Sequence, residues 1–232
     1  TSNPTRFFPK HFTLENFTHV IQDLGFAKNI GNSLIIAIIT TGIAIVISSM
    51  AAYGIVRFFP KLGSIMSKVL VATYMFPPIL LAIPYSMVMA KLGLVNTRIG
   101  LIIVYLSFSV PYAVWMLVGF FKTVPLGIEE AAKVDGANGI QCFFRITLPL
   151  ILKNVLTLSI PFTLWRLTTF DIVYSMTSGG PGEDTALIAY RITTEAFTNL
   201  NVGYASALAM LLFVVMAVFS WLNIRVMNKI DN

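Results

Sequence analysis

Residues 129–149 read EEAAKVDGANGIQCFFRITLP and form the only long polar interruption between hydrophobic blocks of the chain. Glu130-Ala131-Ala132 is followed by three residues and then Gly136; nine residues separate Gly136 from Ile146, and one more separates Ile146 from Leu148-Pro149. Small alanines let another protein approach a helix closely. Gly136 tolerates a positive φ and so turns one short helix into the next. Pro149 fits the first turn of a helix, where its missing N–H costs little. The stretch predicts a helix, a sharp turn and a second helix, lying on a membrane surface and then re-entering the bilayer.

Working outward, 56% of the 232 residues are hydrophobic and 11% are charged, against about 25% charged in an ordinary soluble domain. With a strongly positive mean hydropathy, this composition predicts an all-α, polytopic membrane helical bundle. The net charge of +6 is carried by loop Lys and Arg residues and reads as membrane-surface charge. With no basic stripe or aromatic–basic interleaving, nucleic-acid binding is excluded. Cys142 is the single cysteine, which excludes an internal disulfide or a cysteine metal site and reads as filler in the loop. Neither a phosphate-binding glycine loop nor a nucleophile–histidine–acid set is present. Internal repeats are absent too.

Five spans are expected. The first covers residues 29–56, with an uncharged apolar run at 34–55 that exceeds the ~20 residues needed to cross the hydrocarbon. The second covers 64–92 and is interrupted by Pro77-Pro78 and Pro84. It is either a bent helix at a moving pathway or a packing kink. The third covers 99–121, after a short turn at 93–98. The fourth runs from 148 to about 176 and the last covers 203–227, with an outer loop at 176–202 built on the turn-forming segment 177–182. Residues 1–28 read as an extracytoplasmic arm, whose His11 and His19 have surface or packing roles. The bias of Lys and Arg places Arg57, Lys61, Lys68, Lys122, Lys133, Arg145, Lys153, Arg225 and Lys229 inside, and Arg6, Lys10, Lys28, Lys91, Arg98 and Arg191 outside.

Two clusters stand out within the spans. Tyr105, Phe108, Ser109 and Tyr112 recur at helical spacing on one face. They are either an aromatic packing stripe or rings and hydroxyls suited to a sugar. Trp165, Arg166, Thr168, Thr169 and Asp171 lie in the fourth span. An arginine at membrane depth must face a cavity or a partner, so Arg166 reads either as a donor to a polar solute or as one half of an intersubunit ion pair. Asp171 lies about 140° round the helix from it, at roughly 100° per residue, too far for an easy pair.

The spacing in 129–149 resembles the EAA loop of the membrane subunits of binding-protein-dependent ABC importers, E-A-A, three residues, G, nine residues, I-x-L-P; all seven specified positions match. The flanks are similar too, at residues 13–17, Asn32-Ser33-Leu34, Ala51-Ala52-Tyr53, Phe76-Pro77-Pro78, Ile83-Pro84, 177–182 and 190–197. The resemblance is to maltose-type and other oligosaccharide permeases. It implies a permease subunit that moves a sugar inward by alternating access. It also implies the following partners: an ABC ATPase dimer, a second permease subunit, an extracytoplasmic solute-binding protein and membrane lipid. ATP and Mg would be held by the ATPase, so this chain would bind no cofactor and no metal and would not itself be an enzyme. The implied location is the cell (inner) membrane, multi-pass, with the C-terminus cytoplasmic. The implied layout is an arm at 1–28 and a transmembrane permease domain at 29–232 with a cytoplasmic EAA loop at 125–149. A sixth, first family helix is expected to precede Thr1.

Carried over position by position, ATPase coupling falls to Glu130, Ala131, Ala132, Asp135 and Gly136. Substrate binding falls to Tyr105, Phe108, Ser109, Tyr112, Trp165, Arg166 and Thr169. Amides of the maltose-type pattern are replaced by Tyr105, Arg166 and Thr169, which leaves a phosphorylated or anionic polyol as the alternative solute. A membrane scaffold that binds no ATPase is the reading from another class. An ion-coupled transporter would need membrane carboxylates or inverted repeats, and neither is visible.

Overall fold

The computed structural model describes residues 13–230, which are helical apart from turns and short connections; Arg6, Lys10 and His11 lie outside them. In chain order the helices are α1 (Glu15–Gln22), α2 (Phe26–Arg57), α3 (Pro60–Tyr74), α4 (Pro78–Lys91), α5 (Arg98–Thr123), α6 (Leu126–Val134) and α7 (Gly139–Cys142). A π-turn (Phe143–Thr147) leads into α8 (Leu148–Thr168). Helix α9 (Asp171–Met176), α10 (Ile188–Thr193), a second π-turn (Thr194–Thr198) and α11 (Val202–Ile230) complete the fold.

Among the described residues four helices are long and apolar enough to cross a membrane: Phe26–Arg57, Arg98–Thr123, Gly139–Thr168 and Val202–Lys229. The pair Ile65–Tyr74 and Pro78–Lys91 supplies a fifth crossing only as a span broken by 91°. The second span is thus two helices rather than one bent helix. Each proline of Pro77-Pro78 drives the residue before it out of helical geometry, and Pro77 itself is extended at ψ 126°. Pro84, by contrast, stays inside α4. The fourth span also ends early, where Thr169 turns extended at ψ 123° before α9 begins. Residues 176–202, expected as a loop, contain α10 and a π-turn.

Helix α2 is the spine. It packs along α5, and along α8 to a lesser extent. Its inward face carries small or hydroxylated residues, Thr40, Thr41, Ala44, Ser48, Ser49 and Ala52, all buried, while Ile38, Ile39, Val46 and Ile47 are exposed. Small residues bring backbones together, and lipid accepts the large apolar side chains. The Ser48 hydroxyl donates to the Val110 carbonyl on α5 at 3.4 Å, and Thr163 of α8 donates to Thr41 at 3.2 Å. Three apolar clusters fill the bundle, one of them joining Val20, Ala37, Leu167, Ile188 and Leu208, and the other two lying at opposite ends. One gathers Ala52, Leu117, Phe121, Phe143 and Ile151; the other gathers Ile36, Leu101, Val104, Tyr105 and Ile172 at the opposite end. Helix α1 packs on α11, where His19 faces the Tyr204 ring at 4.4 Å and pairs with Asp23 at 2.6 Å.

The loop is tied to this bundle by one carboxylate. Glu129, on α6, is completely buried. Its Oε1 accepts from Arg57 Nε at 2.8 Å and from the Thr147 hydroxyl at 2.7 Å, and its Oε2 accepts from the Tyr53 hydroxyl at 3.0 Å. Arg57 Nη2 also donates to the Val124 carbonyl at 3.0 Å. The end of α2, the start of α6 and the π-turn therefore converge on one side chain. Burial would raise the Glu129 pKa. The hydrogen bonds from Thr147, Arg57 and Tyr53, with the Arg57 charge, outweigh it and hold the carboxyl below the ordinary value of 4.5.

Two predictions follow from this knot. Glu129→Gln keeps the shape but strands a buried arginine, so unfolding followed in detergent should show a loss of about 3–5 kcal/mol, the usual result of breaking a buried pair. Because the folded carboxyl is the stronger acid, its contribution is complete above pH 4.5 and is lost as pH falls through the lowered folded value. A melting-temperature series should therefore drop more steeply below pH 4.5 in the native protein than in Glu129→Gln.

Candidate functional site: a presented loop and a polar cavity

With Glu129 turned inward, the next residue on α6 faces out. Glu130, Ala131, Asp135 and Gly136 are exposed and Ala132 is half-buried. Val134 is 87% exposed, and Ile140 and Phe144 are also large, exposed apolar groups. The turn between α6 and α7 is rigid. Gly136 sits at φ +93°, as a glycine permits. Asn138 and Gln141 form a reciprocal capping box at 2.9 Å each way, which opens α7. The result is a short, well-tied projection carrying two acids and an apolar rim. Behind it lies an apolar hollow of about 550 Å³ lined by Met50, Tyr53, Phe58, Ile140, Phe143 and Phe144.

Two readings of this stretch change. Cys142, expected as loop filler, is fully buried at the base of the projection. Pro149 does lie in the first turn of α8, but the helical path is continuous from Gly139 to Thr168. The Leu148 N–H reaches back to the Phe143 carbonyl. This wide turn, just ahead of a proline with no N–H to offer, lets the helix continue through it.

The second region lies toward the far end of α8. A cavity of about 210 Å³ is lined by Phe108 of α5, by Trp165, Arg166 and Thr169, by Asp171 and Ile172 of α9, and by the break between α3 and α4 from Tyr74 to Pro78. A second hollow of about 300 Å³ shares Tyr74, Phe76 and Phe108 with it. Of the seven candidate contacts, Phe108, Trp165, Arg166 and Thr169 line the cavity. Tyr105 and Ser109 lie behind Arg166. The guanidinium sits 4.7 Å above the fully buried Tyr105 ring and donates from Nη2 to the Ser109 hydroxyl at 2.7 Å. Tyr112 is off the lining and stacks on Tyr74 with ring centres 4.8 Å apart. Arg166 and Asp171 share the cavity without forming an ion pair. No group of His, Cys, Asp or Glu among the described residues is placed to hold a metal ion.

Glu129 and Tyr74 were not singled out in the sequence, and Asp171, noted there beside Arg166, was not among the candidate contacts. Tyr53 and Arg57, four apart at the end of a span, were a signal for a buried acid on one face of α2. Tyr74 stands directly before the Pro-Pro break. At that same far end, segment 178–187 is strapped down by Lys28, which contacts the Gly182 carbonyl at 2.7 Å and Asp184 at 3.1 Å. Arg191 pairs with Glu183 at 2.9 Å, and Arg98 donates to the Asp184 carbonyl at 3.0 Å.

Comparison with known proteins agrees with this architecture. The family model described as "Binding-protein-dependent transport system inner membrane component" matches residues 44–231. The chain is 33% identical over 174 residues to the trehalose transport system permease protein SugB of Mycobacterium tuberculosis, covering 75% of this chain and 63% of that one. It is 32% identical over 160 residues to the sulfoquinovosyl glycerol transport system permease protein SmoH of Agrobacterium fabrum, covering 69% and 56%. The chain thus spans less than two thirds of either relative's length. A crystal structure of a bacterial ABC transporter for the import of the acidic polysaccharide alginate contains a chain of the same fold, with TM-score 0.80, 17% identity and coverage of 97% of this chain and 87% of that one. The chain belongs to the family of binding-protein-dependent transport system inner membrane components.

Proposed function

We propose that this chain is the permease subunit of an ATP-driven importer for a carbohydrate, working by alternating access. Its partners are an ABC ATPase dimer, a second permease subunit and an extracytoplasmic solute-binding protein, and the ATPase holds the nucleotide and Mg. The observation that carries the reading is the projection at α6–α7. One carboxylate, Glu129, is spent on anchoring it, and the adjacent one, Glu130, is presented with Ala131, Asp135 and Gly136. An exposed acid beside small residues on a rigid turn suits a groove with a basic side chain in a neighbouring ATPase. The loop end then faces the cytoplasm. A C-terminus on that same side is supported by α11 running back along α8 toward the loop end, with Asn223 against Ser159 and Met227 against Thr157.

Carbohydrate is supported by the cavity's make-up and by relatives described as permeases for trehalose and sulfoquinovosyl glycerol. The Tyr74, Phe108 and Trp165 rings offer faces for C–H surface, while Arg166, Thr169 and Asp171 offer hydrogen bonds. Movement of the projection reaches the cavity directly, because one helical path from Gly139 to Thr168 carries both.

The test is Glu130→Lys in the importer reconstituted with its ATPase and binding protein. Loss of a charge-assisted contact is worth about 1.5–3 kcal/mol, or roughly 10- to 100-fold. ATP-dependent sugar uptake should fall by that factor while the chain remains in the membrane. Normal uptake would remove the coupling role. Failure of the native chain to co-purify with any ATPase would favour the scaffold reading.

A further inference from the structure

Arg166 is the one cation in the described part of the bundle that is nearly sealed from water, at 6% exposed, yet forms no ion pair; Asp171 shares its cavity without reaching it. Arg57, comparably placed at the other end, has Glu129. The guanidinium of Arg166 reaches Ser109, the twelfth of the 26 residues of α5, so it lies near the middle of a span. Its protein partners are a hydroxyl, the Tyr105 ring at 4.7 Å and the Trp165 ring at 5.8 Å. Its Nε has no hydrogen-bond acceptor at all. A buried positive charge in such surroundings is expensive and is kept where something brings it an anion. The carbonyl end of α8 supplies only partial negative charge.

Building on the carbohydrate reading above, the geometry points to an acidic sugar as the solute, one carboxylate or sulfonate on a polyol ring, with Arg166 as the residue that selects it. The planar guanidinium suits an oxyanion better than it suits a single hydroxyl. Tyr105 and Ser109 hold it from behind, and Arg166 itself is part of the cavity lining. Asp171, half-buried and on the same cavity wall, takes the opposite part. It accepts from the sugar's hydroxyls and turns the oxyanion away from itself toward Arg166. Rings of Tyr74, Phe108 and Trp165 cover the sugar's carbon face. An uncharged sugar would satisfy Asp171 and the rings but would leave Arg166 without an ion-pair partner.

Equilibrium binding of radiolabelled glucuronate and glucose to the assembled transporter in nanodiscs, without binding protein and at constant ionic strength, tests this. Glucuronate should bind at least tenfold more tightly than glucose. Arg166→Gln should erase that preference, weakening glucuronate binding at least tenfold more than glucose binding. Arg166→Lys, which keeps the charge but not the fork, should retain part of it. If the two sugars bind alike and Arg166→Gln leaves their ratio unchanged, Arg166 is a packing residue and the inference falls, while the carbohydrate reading stands. Acetate displacing glucuronate as effectively as unlabelled glucuronate would reduce the site to a bare anion trap and overturn the sugar part. Binding of neither sugar by the assembled transporter would overturn both.

Discussion

A carboxylate with no water around it must be answered by the protein, and Glu129 is answered three times, by Arg57, Tyr53 and Thr147. Those donors belong to the end of α2 and to the π-turn that feeds α8, and α2 is the helix against which both α5 and α8 pack. The charge therefore binds the projecting α6 to the spine of the bundle rather than to a neighbouring loop. A projection held only by backbone connections would swing independently of the helices. A buried ion pair fixes it to them instead, and its outer face stays exposed.

The path of α8 gives that constraint its reach. From Gly139 to Thr168 the chain keeps a single helical course, about 45 Å at 1.5 Å per residue, through a π-turn that lets Pro149 be passed without a break. The projection lies at one end, and Trp165, Arg166 and Thr169 at the other. The opposite wall of the cavity comes from the corner between α3 and α4, where two prolines turn the chain by 91°. Broken helices inside a bilayer leave backbone polar groups that must be covered by protein or by a water-filled space. Here the break lies on a cavity.

How much was legible follows the range of each interaction. The spans of α2, α5 and α11 are local facts, because a run of apolar residues longer than the bilayer is thick has no other comfortable environment. The turn at Gly136 is also local, since its φ of +93° suits few residues besides glycine. The buried member of the Glu129–Glu130 pair was beyond sequence reasoning. Two adjacent acids look alike until Tyr53, some 76 positions earlier in the chain, is known to lie beside one of them.

The sequence alone therefore determined that the chain is a membrane bundle with a polar loop of defined spacing, since hydropathy, proline and glycine act on their own neighbourhoods. Only the tertiary structure decided which acid anchors and which is presented, and that Tyr105 and Ser109 stand behind Arg166 while Tyr74 and Asp171 line the cavity with it. These outcomes depend on side chains from separate helices arriving at one point, where the loss of water obliges each charge and hydroxyl to find whatever partner the packing supplies.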